Sequence, residues 1–206
     1  MGIGLILLIG AWTSVATVAH AQNATKTTIA TPPDFMIGLI QGSDGNFYST
    51  SGTVDEGCQD NQDNQCSFIY KVTPDGTVST FHAFQEIPTT PAPGTIPDSN
   101  ADGLEPSAFF EGADGNFYGA CETGGAYGLG TIFKIAPDGT FTLLYAFPGS
   151  ATGVPDPDTW GWPTSLVQGS DGNLYGTTEY ALSAGTFFQV TTTGELTTLY
   201  NFASTY

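Results

Sequence analysis

Gly42-Ser43-Asp44-Gly45-Asn46-Phe47-Tyr48 returns as Gly112-Ala113-Asp114-Gly115-Asn116-Phe117-Tyr118, and again as Gly169-Ser170-Asp171-Gly172-Asn173-Leu174-Tyr175. Behind each copy stands a second shared block. Phe68-Ile69-Tyr70-Lys71-Val72-Thr73-Pro74-Asp75-Gly76 is answered by Thr131-Ile132-Phe133-Lys134-Ile135-Ala136-Pro137-Asp138-Gly139, and more loosely by Thr186-Phe187-Phe188-Gln189-Val190-Thr191-Thr192-Thr193-Gly194. A chain that repeats a whole supersecondary unit stacks those units, because each buries its apolar face only against a copy of itself. The corner residues Asp44, Asp114 and Asp171 fall 70 and 57 residues apart, so the insertions between units differ in length.

Each unit divides into four short strands. The first ends just before the Asp-Gly-Asn corner, as in Gly38-Leu39-Ile40-Gln41, Ala108-Phe109-Phe110-Glu111 and Ser165-Leu166-Val167-Gln168. The Asp-Gly pair is expected to supply positive φ angles for a tight hairpin, returning the chain through Phe47-Tyr48, Phe117-Tyr118 or Leu174-Tyr175. The third strand is apolar on both sides (Ile132, Phe133 and Ile135), the pattern of a strand buried inside a stack. Pro-Asp-Gly then makes a second hairpin, Pro fixing φ at the entry and Gly taking the left-handed exit. The fourth strand alternates, with Phe141, Leu143, Tyr145 and Phe147 matched by Leu196, Thr198, Tyr200 and Phe202. The reading is all-β: a propeller-like array of three four-stranded antiparallel blades over 35–84, 104–147 and 162–203 within 35–206. A closed propeller has typically at least four blades, so the array is either open or part of a longer chain. Lys26-Thr27-Thr28-Ile29-Ala30, within the segment 22–34, resembles a lone fourth strand. Bare strand edges would invite self-association.

Bulk properties narrow the function. Residues 1–21 read as an export signal, with the apolar core Ile3-Gly4-Leu5-Ile6-Leu7-Leu8-Ile9 and the small-x-small site Ala19-His20-Ala21; the positive n-region is missing. No later stretch reaches the roughly 18 apolar residues of a spanning helix, so the mature chain is expected to be secreted or at the cell surface, with no stable membrane span. Three Lys, no Arg and 20 acidic residues give a net charge of −17, which repels nucleic acid and anionic headgroups. The spacing of Cys58 and Cys66 inside one loop of an exported chain suits a local disulfide. Cys121 falls where the other copies have Ser51 and Thr178, as a small buried side chain.

The run Pro163-x-x-Leu166-Val167-x-Gly169-x-Asp171-Gly172-Asn173-Leu174-Tyr175-Gly176-Thr177-Thr178 is similar to the GloVer-type tandem repeat of exported bacterial proteins. So are Gly124-Gly125, Gly130-Thr131-Ile132-Phe133-Lys134-Ile135, Gly139-Thr140 and Leu143-Leu144-Tyr145-x-Phe147. The resemblance covers about residues 35 to 203. It implies an extracellular location and a propeller-like blade, and it carries over no catalytic residue.

The candidate sites are few. Asp98-x-Asn100-x-Asp102-Gly103 opens like a calcium loop, but Pro106 and Phe109 stand where later ligands belong; an acidic inter-blade loop is the competing reading. No other cofactor is expected. Gly125-Ala126-Tyr127-Gly128-Leu129-Gly130 lacks the strand-to-helix context of a phosphate loop. Trp160, Trp162, Tyr127 and Tyr180 would form an aromatic platform for a sugar or peptide; alternatively, Trp162 plugs the gap between two blades. His82 replaces the packed aromatic of Tyr145 and Tyr200. With so little else to move protons, acid–base chemistry would fall to carboxylates, with Glu111, Glu122 and Glu179 as candidates. The leading expectation is a non-catalytic exported repeat module for surface structure or for binding an extracellular glycan or protein. The alternatives are a carboxylate-dependent glycosidase or lyase on a propeller scaffold, and a fragment of a longer surface-anchored repeat protein.

Overall fold

The computed structural model describes residues 36–52, 64–88, 99–149, 161–179 and 185–202. Three four-stranded antiparallel sheets, with the turns that join their strands, make up most of the described structure. The first sheet joins β1 (Met36–Gln41), β2 (Phe47–Ser51), β4 (Phe68–Val72) and β5 (Val78–Ala83). The second runs β7 (Leu104–Glu111), β8 (Phe117–Thr123), β9 (Thr131–Ile135) and β10 (Phe141–Ala146). The third runs β11 (Pro163–Gln168), β12 (Leu174–Thr178), β13 (Gly185–Val190) and β14 (Leu196–Phe202). Between the second and third strands of blade 1, β3 (Asn64–Gln65) leaves the blade and pairs with β6 (Ile87–Pro88). Each large sheet is a meander, as the repeat predicts, and the described residues contain no helix. The leader, the strand-like segment Lys26–Ala30, Cys58, Asp98, Trp160 and Tyr180 lie outside the described residues.

The Asp-Gly-Asn corners correct one expectation. Only the glycines take positive φ (81° at Gly45, 77° at Gly115, 85° at Gly172); the aspartates do not. The corner closes with Gly45 N–H donating to the Gly42 carbonyl at 2.9 Å and Gly42 N–H to the Asn46 carbonyl at 2.8 Å. This is a type I turn followed by a left-handed glycine, the three-residue hairpin solution, in place of a two-residue turn. The aspartate is thereby free to organise the corner from its side chain. Asp114 Oδ1 accepts Asn116 N–H, while Oδ2 accepts Asn116 Nδ2 at 2.7 Å and the Tyr118 hydroxyl at 2.8 Å. Asp44 and Asp171 repeat the set.

Burial works to raise the Asp44 and Asp114 carboxyls, but the hydrogen bonds from asparagine and tyrosine, joined at Asp44 by Lys71, outweigh it, holding Asp44 well below the usual range and lowering Asp114. At Asp171 the Asn173 and Tyr175 bonds act in the same direction. A carboxyl depressed by folding contributes stability that is present above its unfolded pKa and lost as pH falls through its folded one. Thermal melts should therefore hold steady down to about pH 4 and then fall. A triple Asp44→Asn, Asp114→Asn, Asp171→Asn variant should melt lower and show a flatter acid limb; an unchanged limb would refute the assignment.

The blades stack face to face. One core lies between blades 1 and 2 and contains Tyr48, Ile69, Phe84, Phe117, Phe133 and Ile135; a second, between blades 2 and 3, contains Tyr118, Ile132, Phe147, Leu174, Phe188 and Val190. Thus Tyr48 and Tyr118, Ile69 and Ile132, and Phe84 and Phe147 each bury one blade against the next. Side chains also lock the blades at their corners. The Glu111 carboxylate accepts both Ser43 N–H (2.6 Å) and Ser43 Oγ–H (2.5 Å), and Gln168 Oε1 accepts Ala113 N–H at 2.8 Å. The third strand is buried on both faces in blade 2 apart from half-buried Lys134, but in blade 3 Phe187 is exposed, because its face points away from blade 2.

Candidate functional site

The first strands β1, β7 and β11 lie side by side along one edge of the stack, and clefts open between them. The smaller, about 230 Å³, is lined by Ile37, Leu39, Thr50, Pro106, Ser107 and Phe109 among others. The larger, about 620 Å³, lies between β7 and β11 and includes Phe110, Glu111, Thr164, Ser165, Val167 and Gln168. Their walls are apolar, with hydroxyls on the backbone side.

Most of those hydroxyls are engaged by the fold. Ser49 and Thr50 donate to the Gly38 and Ile37 carbonyls, both at 2.7 Å. Ser107 Oγ donates across the blades to the Pro163 carbonyl at 2.7 Å, and Ser165 shares a hydrogen bond with Thr177. Glu111, a candidate acid from the sequence, is the corner clamp on Ser43. The clefts therefore present shape and apolar surface with weak polar capacity, a lining suited to sugar faces or side chains rather than to proton transfer.

At the far ends of the strands a different set converges. Burial raises the Glu122 carboxyl, and the charges of Glu105 and Glu179 raise it further. The structure thus brings together Glu122 and Glu179, which sequence matched by position, and adds Glu105, which sequence missed. Glu105 accepts a hydrogen bond from Thr123 Oγ1 at 3.2 Å. It and Trp162 hold φ of 56° and 58°, each directly before a proline, Pro106 and Pro163. Left-handed backbone is uncommon outside glycine, and no composition signal marks it.

Of the aromatic platform, two members are described. Trp162 packs against the core between blades 2 and 3, its N–H donating to the Leu129 carbonyl at 2.7 Å and its carbonyl accepting Glu179 N–H at 3.1 Å. Tyr127 packs against the same core, half-buried. Trp162 thus occupies the gap between the two blades.

Of the calcium-like loop, Asn100 and Asp102 are described. Asn100 Oδ1 accepts Gly103 N–H and Gly125 N–H, and its Nδ2 donates to the Gln85 and Gly103 carbonyls. Asp102, 7 % exposed, accepts Gln85 N–H at 2.9 Å through Oδ1. Its Oδ2 faces His82 Nε2 at 3.4 Å. His82 stacks on Phe141, with ring centroids 4.3 Å apart. The aromatic role read from sequence is accompanied by an Asp–His pair across blades that only the register could reveal. Burial pushes the Cys121 thiol well above its ordinary range, and Cys66 is buried beside Phe68 and Tyr70. Among the described residues no group of three or more His, Cys, Asp or Glu is placed to hold a metal ion, and no helix is long and apolar enough to cross a membrane.

Comparison with known proteins returns one family: the profile described as the Gloeobacter/Verrucomicrobia repeat matches residues 13–206. No curated protein matches the chain significantly.

Proposed function

We propose that this chain, which belongs to the Gloeobacter/Verrucomicrobia repeat family, is a non-catalytic exported module that binds a neutral extracellular glycan or a protein segment along the clefts between its first strands. The observation that carries the reading is the use of the polar side chains beside those clefts. Ser49, Thr50, Ser107, Glu111 and Gln168 all serve the fold, leaving an apolar surface that favours binding over bond cleavage. Export is supported by the leader pattern; a Cys58–Cys66 disulfide accords with that compartment.

A second reading rests on the acidic rim. Glu122, raised by burial and by Glu105 and Glu179, has the property of a general acid in carboxylate-driven glycoside cleavage. One experiment separates the two. The purified mature chain is incubated with glycan and peptidoglycan panels, with calcium or with a chelator, and both retention and newly formed reducing ends are recorded. Retention without new ends supports binding; new ends that vanish in Glu122→Gln support hydrolysis. Neither signal on any panel removes the glycan readings. Loss of retention in chelator would give Asp98, Asn100 and Asp102 a metal role.

A further inference from the structure

Equivalent positions in the three blades differ in one respect. Tyr48 and Tyr118, Ile69 and Ile132, and Phe84 and Phe147 are 0–3 % exposed, each covered by the following blade. Of their counterparts in blade 3, Phe187 at 37 % and Phe202 at 51 % are exposed and Tyr175 is half-buried. Val167, at the position of Ile40 and Phe110, is 62 % exposed, and Tyr200, at that of Tyr145, is 59 % exposed. Phe187 and Tyr200 are direct cross-strand partners, Tyr175 stacks beside Phe187, and Phe202 packs edge-on to Tyr200. The result is a continuous uncharged aromatic face on a chain of net charge −17. Its corner is open as well. Ser43 and Ala113 N–H are capped by Glu111 and Gln168 of the next blade, whereas among the described residues nothing accepts from Ser170 N–H.

The opposite end offers the complement. Leu39, at the position where Leu166 is 5 % exposed under blade 2, is itself 64 % exposed, beside Ile37 at 54 %. Gln41 donates through Nε2 to the Gly45 carbonyl as Gln168 does to that of Gly172. This leaves its Oε1 in the role that caps Ala113 in the blade 2–3 joint. Deeper on that face Phe68, Tyr70 and Val72 are already covered within the chain, so the first strand carries the contact.

From this we infer that a second copy of the chain docks head to tail on blade 3, Leu39 and Gln41 of one copy meeting Val167 and Ser170 of the other. The contact continues a joint the chain already makes twice. It joins faces rather than unpaired strand edges, and it is heterologous, so it closes a ring if the rotation allows and otherwise propagates. Leu39 and Val167 also line the clefts, so the contact is read from self-association of the chain with no glycan present, a readout that does not depend on cleft binding.

Sedimentation velocity of the mature chain tests it. Association should rise with protein concentration, and with salt, which screens the shared negative charge. Leu39→Glu and Val167→Glu change side chains already in solvent, so both variants should fold; each should weaken association by at least about tenfold. Mixed, the two variants retain one intact head and one intact tail and should form a species of two chains and no larger. Association of Leu39→Glu alone as tightly as the parent would mean tail-to-tail pairing and would overturn the proposal, as would a parent chain that stays monomeric throughout.

Discussion

Adding a single methyl group at Gly119 is expected to lower the chain's stability by about 2–3 kcal/mol. The new Cβ would overlap the Phe133 ring and press on the Ala108 carbonyl. Phe133 cannot step aside. It is 0 % exposed and hemmed in by Phe84, Phe109 and Phe141, with centroids at 5.4, 6.3 and 5.6 Å. Gly176 repeats the arrangement under Phe188 and against the Ser165 carbonyl. In blade 1 the equivalent position is Ser49, cross-strand from Tyr70, and its hydroxyl donates to the Gly38 carbonyl. Denaturant titration of Gly119→Ala provides the number. A Gly119→Ala, Phe133→Leu double variant should lose less than the two single losses added together, because the smaller side chain vacates the overlap. Parent-like stability of Gly119→Ala would show that the ring does not constrain the glycine.

Asp114→Ala is expected to cost about 2–4 kcal/mol, since it removes the acceptor of three donors, one belonging to buried Tyr118. Asp171→Ala should cost less. Its Tyr175 partner is only half-buried on the open face and keeps Gln189 Nε2 within 2.9 Å of its hydroxyl. The contrast is the informative part, because the two corners share the Asp-Gly-Asn-x-Tyr residues that make the hydrogen bonds and differ in what covers the tyrosine. Tyr118→Phe in the Asp114→Ala background should recover part of the loss by deleting the stranded hydroxyl. Equal losses at the two corners, measured by thermal and denaturant unfolding, would refute the role assigned to burial.

The fold was legible because the repeat carries its own punctuation: the Asp-Gly-Asn and Pro-Asp-Gly hairpins mark strand ends. The alternation of Phe141, Leu143, Tyr145 and Phe147 does not mark one face, because the register shifts between Leu143 and Tyr145 and turns Phe141 toward blade 1 but Tyr145 and Phe147 toward blade 3. Sequence also misassigned the type of corner, because a glycine with positive φ serves both a two-residue and a three-residue hairpin. The candidate sites were less legible for a physical reason. Trp162, Tyr127 and Asn100 are residue types equally suited to ligands and to joints, and only the stacked arrangement shows them engaged in joints. The Glu105–Glu122–Glu179 convergence and the His82–Asp102 pair depend on lateral register between blades, which spacing along the chain does not encode.

The clamps of Glu111 on Ser43 and Gln168 on Ala113 have a bearing on how such a gene could lengthen. Each half of a clamp belongs to a different unit, donor corner on one and acceptor side chain on its successor. An in-frame duplication of one whole unit therefore inherits a matching half on both flanks, and growth by recombination requires no new lock. Both side chains accept the corner N–H, and the Glu111 version adds a second bond from the serine hydroxyl that alanine cannot make, so a new joint can form first and be strengthened afterwards by one substitution at the corner.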